Sequence, residues 1–300
     1  MSAGKPDTAM PSSPLGRVTF LEGRGDLPMI EITTPRSTAE VYFHGAHVTH
    51  FQKQGEPPLL FLSQCSNFAD GQPIRGGIPI IFPWFGKPAD RPGQHGVART
   101  RDWELREFTS PADGSVTVRF RLPDCGDAPG WVPCAVEYAV TVSDTLSAEL
   151  IVTNKSTKDF EFENCLHTYF TVGEINAVSV VGLQGVDYLD QPSGFTRRTD
   201  TEEAIRVGSE VDRIYLDTPH TVEIRDESLR RVIRVEKQGS AATVVWNPWI
   251  AKSKAMQDFG DEEYTGMICV ESGNVALNRI KLSPGRSARL KVRLSSETMT

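Results

Sequence analysis

The chain has 300 residues, of which 39% are hydrophobic and 24% are charged, and its formal net charge is −7. This composition is typical of a globular protein with a sizeable core. The negative net charge disfavours the binding of nucleic acid and of anionic ligands. An anionic ligand would therefore need a local cluster of arginines in its site. The five cysteines include no Cys-x-x-Cys pair, which favours reduced thiols in a cytoplasmic protein over a disulfide framework.

The two ends of the chain differ in composition. Residues 1–16 are rich in Ser, Pro and Gly and lack the apolar segment of a signal peptide, so they predict a disordered tail. Residues 17–300 contain no linker or internal repeat and predict a single domain. The apolar run at 78–85 is interrupted by proline and is too short to cross a bilayer. We expect a cytoplasmic monomer that binds neither membrane nor nucleic acid.

Alternation of apolar and polar residues dominates the chain and predicts β-strands. The segments with this pattern are 29–33, 39–42, 116–122, 136–142, 146–152, 160–170, 221–225, 230–235, 243–246 and 288–294. Gly and Pro turn signals separate most of them, and residues 248–259 are the best helical candidate. Many strands and few helices favour an all-β antiparallel sandwich or barrel.

Arg75 lies in a segment that cannot be a central strand. Pro79 and Pro83 interrupt its apolar run, and a proline has no N–H to donate to a neighbouring strand. Gly76 and Gly77 permit close approach by a ligand. The alternative is a buried irregular loop whose arginine pairs with an acid.

The segment 94–99 (QHGVAR) is a second candidate for ligand binding. If it forms a strand, Gln94 and Arg99 lie on opposite faces, and if it forms a loop, both can turn inward. An arginine fork matches the oxygens of a phosphate, and a second arginine would complete a clamp.

Alternation over 160–170 places Cys165, His167 and Tyr169 on one face. The apolar residues Phe160, Phe162 and Leu166 lie on the other. The face of His167 must therefore meet solvent or a polar cavity. A Cys165–His167 nucleophilic pair is an alternative, although no activating pattern surrounds the cysteine. Glu271 ends an apolar strand, where it either emerges into water or acts as a general base in a pocket.

Histidines and tryptophans form two further clusters in the sequence. His44, His47 and His50 are spaced by three, but on a strand His47 faces away from the other two, so no metal site is expected. Trp246 and Trp249 either stack on a sugar or pack in the core.

Taken together and in this order, these segments resemble the hexose-6-phosphate mutarotases, a branch of the aldose 1-epimerase superfamily. The resemblance extends from about residue 29 to residue 294. The matching stretches are 43–48 (FHGAHV), 75–79 (RGGIP), 83–86 (PWFG), 94–99 (QHGVAR), 167–170 (HTYF), 211–215 (VDRIY), 245–249 (VWNPW) and 270–271 (VE).

The resemblance implies an antiparallel β-supersandwich of the galactose-mutarotase type. It implies interconversion of the α and β anomers of D-glucose 6-phosphate, or of other hexose 6-phosphates, with His167 as general acid and Glu271 as general base. No cofactor and no metal is implied. The family's phosphate and sugar contacts fall on Arg75, Gln94, His95, Arg99 and Asp212. The stretch between Gly86 and Gln94 is shorter than in some relatives.

Three alternatives stay open at the level of the sequence. A non-catalytic sandwich that binds sugar phosphates would keep Arg75 and Arg99 but would need neither His167 nor Glu271. A free-hexose mutarotase would not need the two arginines. A cupin-like metalloenzyme would need His and Glu ligands that converge.

Overall fold

The computed structural model describes residues 15–91, 93–126, 128 and 131–299. The predicted disordered tail therefore falls, up to residue 14, outside the described residues. Within these ranges the chain forms 23 β-strands, one α-helix and five 3₁₀ helices. Among the same residues, no helix has the length and hydrophobicity needed to cross a bilayer. The prediction of an all-β fold is confirmed.

The strands, in chain order, are β1 (Arg17–Glu22), β2 (Pro28–Thr33), β3 (Ser37–Tyr42), β4 (His47–Lys53), β5 (Ile80–Ile81), β6 (Glu104–Thr109), β7 (Val116–Leu122), β8 (Cys134–Val142), β9 (Leu146–Asn154), β10 (Phe160–Phe162), β11 (Asn164–Leu166), β12 (Tyr169–Thr171), β13 (Val178–Val181), β14 (Asp187–Asp190), β15 (Thr196–Thr199), β16 (Ala204–Arg206), β17 (Val211–Leu216), β18 (Val222–Asp226), β19 (Arg231–Gln238), β20 (Ala242–Asn247), β21 (Met267–Asn274), β22 (Ile280–Leu282) and β23 (Ser287–Thr298). The helix is α1 (Trp249–Ala255), and the 3₁₀ helices are Arg24–Asp26, Ala98–Thr100, Ile175–Ala177, Glu263–Gly266 and Ala276–Asn278.

Two large antiparallel sheets dominate the fold. A nine-stranded sheet has the order β16-β13-β18-β19-β23-β9-β8-β7-β6, and an eight-stranded sheet has the order β15-β14-β17-β20-β21-β11-β5, with β12 also paired to β21. A four-stranded sheet, β1 to β4, and the pair β10–β22 complete it. One hydrophobic cluster contains buried side chains from Ile30 to Leu294. A single domain over residues 17–300 stays a prediction.

The eight-stranded sheet has one face on the core and one face turned away from it. Asp212 is paired with Trp246, and Trp246 with Cys269. Directly opposed residues share a face of the sheet, and so do residues two apart on one strand, which adds Glu271 to this set. The intervening Val270 points the other way and belongs to the main hydrophobic cluster. This alternation puts polar side chains on the face that carries the candidate site.

The prediction of one strand over 160–170 is wrong, because the structure divides this segment among three strands. The first, β10, leaves the sheet and pairs with β22, whereas β11 and β12 both pair with β21. The register of the two is the same: Leu166 lies opposite Ser272, and Tyr169 lies opposite Cys269. In the gap, the backbone N–H of His167 donates to the carbonyl of Pro79 at 3.1 Å. His167 therefore lies on the predicted face of the sheet, although the strand is interrupted at this residue.

The predicted helix at 248–259 is present but shorter, over Trp249–Ala255. The side chain of Asn247 accepts a hydrogen bond from the N–H of Trp249 at 2.9 Å, which fixes the start of the helix. Met256 is extended, with φ −91° and ψ 122°, and ends the helix. The helix carries Lys252 to the rim of the polar face, 3.4 Å from Asp212.

Candidate active site

A cleft of about 260 Å³ opens on the polar face of the eight-stranded sheet. Its walls come from that sheet, from the loops at 75–95 and from α1. The lining residues are Arg75, Phe85, Gly86, Gln94, His95, His167, Gln191, Asp212, Trp246, Lys252, Met256 and Glu271. The structure thus brings together every site residue predicted from the sequence except Arg99, which lies behind the lining.

His167 and Glu271 are in direct contact at the floor of the cleft. Glu271 lies on β21 and His167 in the gap between β11 and β12, and the common register of these two strands places the residues opposite each other. His167 Nε2 lies 3.2 Å from Glu271 Oε1. Only 8% and 1% of the two side chains is exposed. Burial raises the pKa of Glu271 well above its ordinary value. Burial, with the charges of Arg99 and Arg75, lowers the pKa of His167 well below its ordinary value. Both shifts favour the uncharged form of the group concerned, which is the protonated carboxyl of Glu271 and the neutral imidazole of His167.

Cys165 contacts the carboxyl group rather than the imidazole. Its thiol donates to Glu271 Oε2 over 3.4 Å. Burial, followed by the neighbouring Glu271, raises the pKa of this thiol well above its ordinary value. A thiol that is held neutral is a poor nucleophile. The geometry therefore disfavours the Cys165–His167 nucleophilic pair.

Arg75 both lines the cleft and pairs with an acid. Its Nε and Nη2 donate to Asp258 Oδ2 at 3.1 and 3.0 Å. Its Nη1 donates to the hydroxyl of Tyr169 at 3.1 Å. The ring of Tyr169 stacks on His167 with centroids 4.8 Å apart and an angle of 10° between the planes. The alternative of an acid-paired arginine is thus realised, and the same side chain also reaches the cleft.

The glycines after Arg75 serve the fold instead of the ligand. Gly77 has a φ of +61°, and a Cβ on it would lie 2.2 Å from the carbonyl oxygen of Val48. Gly76 is similarly close to the backbone of Phe61. The expectation that a ligand approaches these glycines is therefore wrong, because the protein's own backbone fills that space.

Arg99 is buried, and no acid in the described part of the chain forms an ion pair with it. It lies in the 3₁₀ helix Ala98–Thr100, so the loop form of the 94–99 segment is the correct one. Its Nη2 donates to the carbonyl of Gln94 at 2.9 Å, and its Nε has no partner among the described residues. Burial, with the charge of Arg75, lowers its pKa to about 10. A buried charge without a counterion costs free energy, which an anionic ligand would offset.

His95 contacts Gln94 on one side and the ring of His167 on the other. Its Nδ1 accepts the backbone N–H of Gly86 at 3.2 Å, and its Nε2 lies 3.0 Å from Gln94 Nε2. Its ring meets that of His167 edge to face, with centroids 5.6 Å apart. Burial lowers its pKa well below the ordinary value, so it is a neutral hydrogen-bonding group.

Asp212 lies in a polar cluster at the far wall of the cleft. Gln191 Nε2 donates to its Oδ1, and Lys252 Nζ lies 3.4 Å from its Oδ2. Burial raises the pKa of Asp212 to about 6, against the opposing effect of Lys252. Gln191 and Lys252 were not predicted as site residues from the sequence. Lys252 could have been found from its place in the predicted helix at 248–259, whereas no pattern around Gln191 indicates a role in the site.

The two tryptophans of the 245–249 motif have different surroundings. Trp246 lines the cleft and packs edge-on against Tyr169, with centroids 5.8 Å apart. Trp249 packs against Tyr264 instead, at 5.2 Å. One of the pair thus offers a ring to a sugar, and the other supports the helix.

The histidines at 44, 47 and 50 do not converge. His44 Nε2 lies 2.8 Å from the carbonyl of Gln72, and His47 Nε2 lies 2.8 Å from that of Gly76. In the described part of the chain, the three do not form a group within metal-ligand distance. Both buried rings hold loops in place.

With this geometry established, comparison with known proteins identifies the family. Residues 28–295 match the family model for aldose 1-epimerase. The chain belongs to the aldose 1-epimerase family. A protein from Cenchrus ciliaris, provisionally named a glucose-6-phosphate 1-epimerase, is 37% identical over 86% of this chain and 81% of its own. One of the same provisional name from Escherichia coli K12 is 33% identical, over 82% and 83%.

A solved structure places this epimerase family member in the expected fold class. The crystal structure of YeaD from Salmonella typhimurium, provisionally named a mutarotase, superposes with a TM-score of 0.85 at 28% identity. The match covers 94% of this chain and 97% of that one. The prediction of a mutarotase-type antiparallel sandwich is confirmed.

Proposed function

We propose that this aldose 1-epimerase family member interconverts the α and β anomers of a hexose 6-phosphate, in particular D-glucose 6-phosphate, without a cofactor. The observation that carries the proposal is one cleft with the His167–Glu271 contact on its floor and, behind its wall, the guanidinium of Arg99, which pairs with no acid among the described residues. The names of the relatives point to the same reaction. We further propose that it acts as a cytoplasmic monomer that binds neither nucleic acid nor membrane.

Ring opening needs one proton removed and one delivered. Glu271 takes the proton of the anomeric hydroxyl, and His167 protonates the ring oxygen as the C1–O5 bond breaks and the C1 carbonyl forms. The aldehyde turns about its C1–C2 bond, and the ring closes on the other face of the carbonyl with the two roles reversed. In either direction, the reaction needs one proton on the pair. Each such group contributes ~10²–10⁴ in rate.

The phosphate has two effects in this scheme. It is a remote handle that positions the sugar over the pair. It also brings negative charge to Arg75 and Arg99, whose positive charges otherwise lower the pKa of His167. Binding of the dianion therefore raises the pKa of His167 and favours its protonated form beside Glu271, 3.2 Å away. The imidazolium is then ready to protonate the ring oxygen.

The remaining polar groups of the cleft suit the sugar itself. Asp212 accepts hydrogen bonds from hydroxyl groups, while Gln94 and His95 lie on the side of the arginine loop. Trp246 offers an aromatic surface beside the catalytic histidine, 6.1 Å between ring centroids. These contacts orient C1 toward the catalytic pair.

The test is a rate comparison with chelator-treated protein. Polarimetry should show faster anomerisation of glucose 6-phosphate than of free glucose. The rates with galactose 6-phosphate and mannose 6-phosphate would give the order of substrate preference. Equal acceleration of free glucose would make the protein a free-hexose mutarotase. Saturable binding of the sugar phosphate without acceleration would make it a binding protein. Activity lost on chelation and restored by a divalent ion would overturn the cofactor-free reaction.

The proposed monomer is tested separately. Size-exclusion chromatography with light scattering should give a mass near 33.1 kDa. A mass of twice that value would contradict the proposal.

A further inference from the structure

The catalytic pair has a third neighbour that the reaction does not use. The ligand atoms of His167, Cys269 and Glu271 all lie within 4.8 Å of one another, and all three residues are buried. The register explains this cluster: Cys269 and Glu271 are two residues apart on β21 and share a face, and His167 lies opposite Glu271. The thiol of Cys269 lies on the cleft side of the sheet, between Tyr169 and Trp246 on the two neighbouring strands.

The set has the composition of a zinc site with three protein ligands. Zinc prefers imidazole nitrogen, thiolate sulfur and carboxylate oxygen in a tetrahedral arrangement, and sites with three protein ligands keep the fourth position open. Two of the three ligand residues, His167 and Glu271, line the cleft, which gives the ion a route to the site from solvent. Thiolate ligands select zinc over magnesium and calcium, which prefer oxygen.

We propose that His167, Cys269 and Glu271 form a Zn²⁺ site through which the ion inhibits the enzyme. The proposal rests on the function proposed above, because the ion occupies the two groups that move protons in catalysis. An imidazole nitrogen that binds zinc cannot carry a proton to the ring oxygen, and a zinc-bound carboxylate is a weaker base. The ion therefore competes with the hexose 6-phosphate.

Charge balance makes the buried site acceptable to the ion. Zinc binds Cys269 as thiolate and Glu271 as carboxylate, while His167 binds as a neutral imidazole. The two negative charges of the bound ligands offset the two positive charges of the ion within the buried site. The nearby Arg75 and Arg99 repel the cation, which makes the ion a reversible inhibitor and not a resident structural metal.

The first test is zinc titration of glucose 6-phosphate anomerisation, after chelator treatment and in a buffer without inorganic phosphate. Micromolar Zn²⁺ should inhibit competitively, EDTA should restore full activity, and equal Mg²⁺ or Ca²⁺ should have no effect. Cys269→Ala should keep its basal activity and weaken zinc inhibition by at least ~10-fold, equivalent to ~1.4 kcal/mol. Cys165→Ala is the matched control, since that buried thiol also touches Glu271 but lies outside the three-ligand set, and it should retain zinc inhibition.

The second test does not depend on activity. Co²⁺ added to the whole protein should give a near-ultraviolet thiolate-to-cobalt absorption band, present in Cys165→Ala and missing in Cys269→Ala. Zinc inhibition and a cobalt band that both persist in Cys269→Ala would overturn the site, as would the absence of any zinc inhibition. Activation by zinc would overturn both this proposal and cofactor-free catalysis. If the protein anomerises no sugar phosphate but binds cobalt through Cys269, the proposed function fails and the metal site stands.

Discussion

Arg99 should discriminate between phosphorylated and free sugars. The residue is 7% exposed, and among the described residues no acid forms an ion pair with it and its Nε has no hydrogen-bond partner. Arg75 differs, because Asp258 already binds two of its nitrogens. The charge of Arg99 is therefore the one most available to a phosphate dianion. Arg99→Ala removes that charge and leaves His167 and Glu271 in place.

The size of the effect follows from burial. Removing one partner of a desolvated, hydrogen-bonded charge pair costs ~2–5 kcal/mol. The lower figure applies to a cleft that is open to solvent, so kcat/KM for glucose 6-phosphate should fall by at least ~30-fold. The weak activity on free glucose should not fall, since that sugar has no phosphate to lose and removal of the Arg99 charge raises the pKa of the general acid His167. Added salt should likewise weaken turnover of the phosphorylated sugar selectively.

The assay is coupled-enzyme or polarimetric measurement on both sugars, with two further variants. Arg99→Met preserves more of the side-chain volume and should behave as Arg99→Ala does. Arg213→Ala loses the same charge at an ion pair with Asp200, outside the cleft lining, and should stay within ~5-fold of the parent on both sugars. Equal losses on both sugars in the Arg99 variants would show that this residue supports the fold or the catalytic pair, and the phosphate assignment would be withdrawn.

Three further predictions address the catalytic pair, the loop glycine and a buried lysine. His167→Ala and Glu271→Gln should each lower turnover by ~10²-fold or more with an unchanged circular dichroism spectrum, and near-normal turnover in either would remove that residue from the mechanism. Gly77→Ala should lower the free energy of unfolding by at least ~2 kcal/mol, because its Cβ meets a backbone carbonyl; Gly55→Ala, at positive φ in open space, should cost only ~1 kcal/mol, and equal losses in urea melts would refute the clash. Burial lowers the pKa of Lys237 to about 7, so unfolding releases this group to take up a proton and the free energy of unfolding rises with pH between about 7 and 10.5. Lys237→Met should flatten that rise and stabilise the protein by ~2–4 kcal/mol at pH 6, and an unchanged slope between pH 6 and 9 would contradict it.

Alternation predicted β2, β3, β7 to β9, β18 to β20 and β23 near their observed bounds, but it missed other strands, among them β14 to β17. The expectation that Glu271 ends its strand is wrong, because β21 continues to Asn274. The sidedness of the site was predicted, because it depends on local alternation. Alternation alone predicted that His167 lies on the face opposite the apolar residues. The structure has it on that face, even though the strand is interrupted at His167. The pairing of His167 with Glu271 could not be derived in the same way. It depends on the register between β11, β12 and β21, which are far apart in sequence.

The incorrect expectations concern contacts between distant segments. Nothing near Arg75 in the sequence indicates that Asp258 will bind it, or that the glycines beside it will meet the backbone at Val48. The strand over 160–170 breaks because β10 finds a partner in β22, close to the C-terminus. The roles of these residues depend on which segments become neighbours, and alternation within one segment carries no information about that.

The two-faced eight-stranded sheet has a consequence for how this enzyme can change. On β21, Val270 packs into the main core, while Cys269 and Glu271 face the cleft. Adjacent residues of one strand are therefore under different selective constraints. Substitutions at the cleft-facing positions can alter substrate and inhibitor without disturbing the scaffold, and drift at the core-facing positions can alter thermal tolerance without disturbing chemistry. A single strand in this arrangement provides two nearly independent routes for adaptation.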